Sequence, residues 1–529
     1  MWPQPLVPAH SLPVSALVAA APLAVVLVLM GGLRRSGALS AAAGLASALL
    51  LAMFVWRMPA QLAALSVIFG FLYSLWPILW LVFAALWLYN LSVDTGKFEL
   101  LRRWMEEHAS GDPRLQAILV AFCFGALLEG TAGFGAPVAV AAYLLLGLGF
   151  TARQAVVIAL IANTAPVAFG GLGIPIVALA AVTGLDLMKL SAMVGRQLPF
   201  LALVLPAYLV WVMAGRKGLK ETWPAALVSG ASFGLAQFFV SNFWGPYPTD
   251  VVAAAVSTAA LVLFLRLWKP GGAVHESPAQ GTESGLSVSE TLTAWAPWAL
   301  LATVMVAWSY FRLTQIAQRA FPVPYLHNAI FITLYQRPYA ALFQFQPLAA
   351  GTAALTATVI TALMFRVSPR IFLRSGLKTL KQLRITGLTV GLIVGLAYLY
   401  NYSGMAYTLG AALAGLGGLF PLASGYLGWV ACFLTGSDTA SNLLFGNLQV
   451  AAAHQIGVNP LLLAATNCSG GVTGKMISPQ NIAVGVTTVG LVGQEGDVVR
   501  STFWHSIVLA LLLSVIAFGQ AYWLKWMIP

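Results

Sequence analysis

The stretch Glu129-Gly130-Thr131-Ala132-Gly133-Phe134-Gly135-Ala136-Pro137 sets one carboxylate among glycines near the middle of an apolar run over 115–149. As one straight helix that run would extend about 50 Å, against a hydrocarbon core of about 30 Å. Gly125, Gly130, Gly133, Gly135 and Pro137 lie inside it, so it must break, either as a re-entrant hairpin or as two half-helices. A second stretch, Gly436-Ser437-Asp438-Thr439-Ala440-Ser441-Asn442, repeats the combination in the C-terminal half. Each is followed by another interrupted apolar segment built around an asparagine, Asn163 and Asn467. A carboxylate in such a setting is expensive and points to function. Two in matching places look like the substrate site of a secondary transporter.

Composition agrees. Of 529 residues 60% are hydrophobic and only 8% charged, where soluble domains carry roughly 25% charge. A mean hydropathy of +0.87 marks a polytopic membrane protein. The net charge of +12 is not read as a nucleic-acid surface, because the basic residues fall in short clusters between apolar runs. Cys123, Cys432 and Cys468 form no metal-ligand spacing and read as small buried thiols. No nucleotide loop, HExxH or nucleophile–histidine pairing is present, so neither a cofactor nor an enzyme is expected. The first apolar run, 13–31, has no Lys or Arg before it and reads as a retained helix.

The expected fold is all-α and polytopic, with about 12–14 transmembrane helices and two repeat-related halves containing re-entrant or interrupted helices. Residues 1–60 would hold N-terminal helices and 61–268 the first half. A flexible cytoplasmic linker would follow at 269–290, then a connecting helix and extracytoplasmic segment at 291–346, and the second half at 347–529. Basic clusters lie at Arg34/Arg35, at Lys97/Arg102/Arg103, at Arg216/Lys217/Lys220, at Arg266/Lys269 and between Arg366 and Arg384. If all face the cytoplasm, parity allows only two crossings among the three apolar stretches between Lys97 and Arg216. The 115–149 run is therefore expected to be re-entrant, with the N-terminus outside. The aromatic piece 315–346 would lie outside as well, along the interface or over the outer face.

Internal symmetry can be counted. Cys123-Phe124 begins six residues before Glu129, and Cys432-Phe433 six before Asp438. Asn163 precedes Gly170 by seven and Pro175 by twelve, as Asn467 precedes Gly474 and Pro479. These matches in the same order indicate a duplication. Spacing leaves inverted and parallel repeats both open.

At these residues the chain resembles the L-lactate permease family. The matching strings are Glu129–Pro137 (EGTAGFGAP), Asn163–Pro175 (NTAPVAFGGLGIP), Thr435–Gln449 (TGSDTASNLLFGNLQ) and Asn467–Asn481 (NCSGGVTGKMISPQN). The overall length and the segment around Pro338-Tyr339-Ala340 and Gly351-Thr352 look alike too. The resemblance implies import of lactate and related 2-hydroxy monocarboxylates such as glycolate, with protons, across the bacterial inner membrane. From composition and spacing alone the reading stops at a secondary transporter for a small anion.

A monocarboxylate entering a negative-inside cell needs a cation with it. Glu129 and Asp438 are the candidates for proton coupling, since a carboxyl stripped of water beside a bound anion holds its proton more tightly. Each also has a structural reading, capping a half-helix or pairing with Lys475. Lys475 itself has three readings: partner of the substrate carboxylate, partner of Asp438 in the empty site, or a side chain snorkelling to the interface. The breaks at Gly130/Gly133/Gly135, Gly170/Gly171/Gly173 and Gly470/Gly471/Gly474 read as backbone that binds a carboxylate, against close helix packing as the alternative. The polar lining would comprise Asn163, Thr164, Ser437, Thr439, Ser441, Asn442, Asn467, Ser469, Thr473, Gln480 and Asn481. Asn163 and Asn467 rank first, being equivalent in the repeat. His454, Trp76, Trp80 and Trp87 read as interfacial or packing residues. Rival readings are a Na⁺-coupled or other organic-anion transporter, with unwound carbonyls beside Asp438 and Asn467 holding the ion, and, less favoured, a channel.

Overall fold

The computed structural model describes residues 1–108, 111–133, 135–270 and 286–529. Among them, ten helices are long and apolar enough to cross a membrane, and the bent pair Ala152–Ala162 with Val167–Thr183 makes eleven. The stretch Leu187–Phe243, at 57 residues, is too long for one crossing. It reverses at Gly215, and Gly230 and Gly234 then lie back against the carbonyls of Ala202, Leu203 and Pro199, so it forms two antiparallel helices.

Two long helices make the frame beside the site. Ala60–Asp94 runs antiparallel to Pro369–Ser403. Their contact is a stripe of small residues: Gly70 lies on Val394 and Gly395, Gly391 on Phe71, Gly376 on Trp87. Small residues let backbones approach where lipid gives no hydrophobic drive. Indole N–H groups lock the edges, with Trp76 donating to the Gln346 carbonyl, Trp80 to Thr352 Oγ1 and Trp87 to the Phe372 carbonyl. These tryptophans pack, as expected. At 35 residues, Pro369–Ser403 extends about 52 Å. Arg370, Arg374, Lys378, Lys381 and Arg384 sit on its exposed first half. They are therefore not in a loop between two crossings, which the run of charges had suggested.

The basic clusters gather at one end. Lys378 pairs with Asp94 at 2.6 Å, Arg114 with Glu221 at 2.5 Å, and Lys97 stacks on the Phe365 ring. The amphipathic helix Lys97–His108 lies there, packed on Val288–Tyr310 through Trp104 and Trp295. Of the expected linker 269–290, residues 271–285 lie outside the described residues. Its last residues already belong to a helix, capped reciprocally by Ser287 and Glu290.

The opposite end is closed by the N-terminus and the aromatic segment. Trp2–Pro3 pairs in parallel with Ile330–Phe331, and Arg319–Pro322 pairs antiparallel with Leu342–Phe345. These short strands depart from an all-helical reading of this segment. Pro322, Pro324, Pro338 and Pro347 forbid a helix here, and the Ile330–Ile332 triplet favours extended backbone. Beneath them Tyr339 stacks on Tyr402 at 4.1 Å, while His454 packs edge-on to Tyr335.

Between these ends lie the two broken units. Pro113–Thr131 forms the first limb of a hairpin, and Ala136–Gly147 packs back along it. Phe420–Thr435 and Asp438–Ile456 form the second hairpin. The first opens toward Arg114 and the basic end. The second opens toward His454 and the opposite end. Ala152–Ala162 with Val167–Thr183, and Pro460–Gly474 with Pro479–Thr488, likewise run in opposite directions. Arg153 meets Ser501 at the basic end and the Val182 carbonyl meets Asn401 near the other, whereas the second broken helix starts beyond His454. The repeats are thus inverted.

The tightest contact in the second unit is backbone on backbone. Gly428 abuts the Asn467 carbonyl, Gly470 abuts Gly425, and Gly474 abuts Trp429. Gly470 and Gly474 are accordingly packing residues here, not backbone open to a ligand. Gly428→Val should cost about 1–3 kcal/mol or more through forced backbone shifts, visible as a lowered melting temperature in detergent. An unchanged melting temperature would contradict this packing.

Candidate functional site

The two hairpin tips and the two helix breaks meet at one place. At the first tip Gly135 takes φ +87°, and at the second Gly436 takes φ +70°, conformations that a side chain resists. Asn481 stands between the tips: its Nδ2 donates to the Gly436 carbonyl at 3.2 Å within the second half, and Gly135 of the first half lies against Val484 and Asn481. The N-termini of Ala136–Gly147, Asp438–Ile456 and Pro479–Thr488 therefore converge. Each contributes the positive end of a helix dipole. In the first broken helix Gly171, Leu172 and Gly173 all have positive φ, 53°, 61° and 76°, so a left-handed turn interrupts the second limb near its start. The buried Leu172 pays a strain of about 1–3 kcal/mol for it.

At this junction lies a cavity of about 410 Å³. Of the residues singled out in the sequence, Glu129, Gly133, Gly135, Gly170, Gly171, Ser437, Asp438, Thr439, Lys475, Gln480 and Asn481 line it. Asn163 and Thr164 stand behind Lys475 in a narrow gap. Asn442, Asn467, Ser441, Ser469 and Thr473 face other helices. Ser469 Oγ donates to Gln197 Oε1 at 2.7 Å and Asn467 Nδ2 to Asn442 Oδ1 at 2.9 Å, while Thr473 Oγ1 donates to the Gly470 carbonyl of its own helix at 2.8 Å. Sequence reading missed one wall altogether: Ile385, Thr386, Thr389, Val390 and Ile393, with Met30 and Gly37. Met30 and Gly37 flank the Arg34/Arg35 cluster, so the cavity extends toward the basic end. Toward the other end the packing closes over Asn401, which accepts from Asn447 Nδ2 at 2.8 Å.

The two carboxylates are not equivalent. Glu129 ends the first limb of its hairpin, at the negative end of a helix dipole. It is compensated by Lys475, whose Nζ donates to Oε1 at 2.6 Å, and by Asn163 Nδ2, which donates to Oε2 at 3.0 Å. Lys475 thus pairs with Glu129 across the two halves rather than with Asp438. Asp438 begins the second limb of its hairpin, where the dipole favours its charge. Cys468 Sγ and Asn442 Nδ2 donate to Oδ2 at 3.1 and 3.4 Å, while Oδ1 has no hydrogen-bond partner among the described residues. Ser437 Oγ is spent capping the same helix, accepting from Ala440 N. All three cysteines are buried free thiols. Gly170 and Gly471 press directly on the Glu129 and Asp438 carboxyls, leaving no room for a side chain.

Removing one partner of a buried pair leaves an uncompensated charge costing about 3–5 kcal/mol. Lys475→Ala should therefore lower the melting temperature strongly, and adding Glu129→Gln should restore much of it. A double variant no more stable than Lys475→Ala alone would show that the pair does not carry this energy.

The L-lactate permease family profile matches residues 15–524. The chain is 43% identical over 550 residues to glycolate permease GlcA of Escherichia coli strain K12, covering 98% of each. It is 42% identical over 550 residues to the L-lactate permease of the same strain, covering 100% of each. To the L-lactate permease of Bacillus subtilis strain 168 it is 41% identical over 563 residues, again covering 100% of each. The YdaH transporter of Alcanivorax borkumensis overlays only loosely, at TM-score 0.45 and 15% identity over 83% of this chain and 84% of that one. A profile match across nearly the whole length, with relatives above 40% identity end to end, puts this multi-pass membrane protein in the L-lactate permease family.

Proposed function

We propose that the chain imports L-lactate and related 2-hydroxy monocarboxylates, D-lactate and glycolate among them, with protons across the bacterial inner membrane by alternating access. The observation that carries this reading is the convergence of three helix N-termini and one lysine on a cavity of about 410 Å³ shared by both halves. Such a site offers a small carboxylate fixed positive dipoles and a cation. Thr439, Gln480 and Asn481 supply donors and acceptors for a 2-hydroxyl group. The names of the relatives, lactate and glycolate permeases, support the same substrate class.

In this reading the substrate carboxylate engages Lys475 and the tips at Gly133–Gly135 and Ser437–Thr439. Its arrival takes Lys475 from Glu129, which then needs a proton. Asp438, facing the cavity with one oxygen unpartnered, takes or shares it. One proton and one monoanion enter together, and both leave on the basic side. Residues 61–268 and 347–529 act as the two halves of the cycle, and the conformation described is the one open toward the basic, cytoplasmic end.

Proteoliposomes should accumulate labelled L-lactate under an inward proton gradient and lose accumulation with a protonophore. Glu129→Gln and Asp438→Asn should each abolish accumulation while counterflow persists. Uptake that requires Na⁺ and ignores the proton gradient would replace the coupling ion, and no lactate uptake under either gradient would defeat the substrate assignment. In a variant with all three native cysteines replaced, Thr389→Cys should react with an impermeant maleimide from the cytoplasmic face. Bound lactate should slow that reaction. Labelling only from the other face would reverse the orientation.

A further inference from the structure

A third carboxyl stands behind the site. Asp250 is 1% exposed, in the first turn of Thr249–Leu267, an end that no side chain caps. Gly130, next to Glu129 in the chain, lies directly on the Asp250 side chain and would have no room for a methyl group. Neither Asp250 oxygen has a partner in good hydrogen-bond geometry among the described residues; Gln237 is the polar side chain beside it, and its Oε1 is also unpartnered. The charged groups facing it are Glu129, from the hairpin tip, and Lys475, from the opposite half. The further titratable groups on the surrounding segments are Tyr247, three residues earlier in the chain, and Cys123, which contacts Ser229 and Ser257.

Charge counting decides what this carboxyl holds. Among the described residues Lys475 is the one buried cation, and it is committed to Glu129 at 2.6 Å. An unpaired, unbonded buried carboxylate costs several kcal/mol, so a group in this position neutralises itself with a proton. A carboxyl O–H supplies the donor that Gln237 Oε1 lacks. The neighbouring Glu129 belongs to the hairpin that must rearrange when the substrate draws Lys475 away, so the same movement changes the field on Asp250.

We propose that Asp250 is a proton-binding residue of the transport cycle: it holds a proton while the Glu129–Lys475 pair is intact and exchanges it when that pair opens. The bond broken and reformed is its own carboxyl O–H, and the proton passes to or from water or Glu129. This rests on the proton-coupled reading above.

The experiment is proton-driven L-lactate accumulation and lactate counterflow in proteoliposomes of the parent, Asp250→Asn and Asp250→Glu. Asp250→Asn keeps the shape and neutrality but cannot exchange a proton. It should lose uphill accumulation and keep counterflow, while Asp250→Glu should recover accumulation with a displaced pH profile. The infrared carbonyl band of a protonated buried carboxyl should be present in the parent and missing in Asp250→Asn. Accumulation by Asp250→Asn equal to the parent's, or an unchanged carbonyl band, overturns the assignment while leaving proton coupling intact. A parent that ignores the proton gradient overturns the coupling itself, and this inference with it. Should Asp250→Asn fail to fold, the Asp250→Glu pH profile decides: a profile identical to the parent's overturns the proposal.

Discussion

An ammonium group buried between two halves of a protein has to find a negative partner, and Lys475 finds Glu129 on the other half. That one contact joins the first hairpin to the broken helix of the other half, where the hairpin tips otherwise meet through Asn481, Gly436 and a few side-chain contacts. Its cost and its strength both come from the absence of water. Lys475 is buried, and its own half-helix ends in backbone packed tightly on Trp429, so the charge has nowhere to snorkel. Whatever competes for the lysine competes with the link between the halves. In the proposed cycle a small anion entering the cavity is therefore also an agent that loosens the junction.

The glycines around this junction divide by what they touch. Gly425, Gly428, Gly470 and Gly474 weld the second hairpin to its broken helix through their backbones. Gly133, Gly135, Gly170 and Gly171 face the cavity or the Glu129 carboxyl. Sequence cannot separate these two uses, because both appear as glycine in apolar surroundings. What separates them is which neighbour lies within a methyl group's reach, and that is decided by tertiary contact alone.

Much of the site was legible because breaking a membrane helix needs rare residues. Glu129, Asp438 and Lys475 stand out against runs otherwise free of charge, and the matched Asn–Gly–Pro spacings mark the breaks. The direction of the repeats was not legible, since spacing is the same whichever way a hairpin points. Asp250 escaped for a different reason. It follows Gly245-Pro246-Tyr247-Pro248-Thr249, where an acidic residue reads as the ordinary start of a helix at an interface, and only the packing of Gly130 against it reveals its burial. Thr386 and Thr389 escaped because a threonine in an apolar helix usually bonds its own backbone. Thr389 does so with the Ile385 carbonyl, while also lining the cavity.

The depth of the cavity also bears on the electric field. In the proposed reading, water enters the cavity from the basic end and makes that half of the protein conducting, so the transmembrane voltage falls mainly between Lys475 and the closed end around Tyr402 and Tyr339. A voltage of 100 mV is worth about 2.3 kcal/mol per elementary charge that traverses it. Concentrated in so short a distance, it acts on the binding and release of charge at the junction rather than on any long movement through the protein.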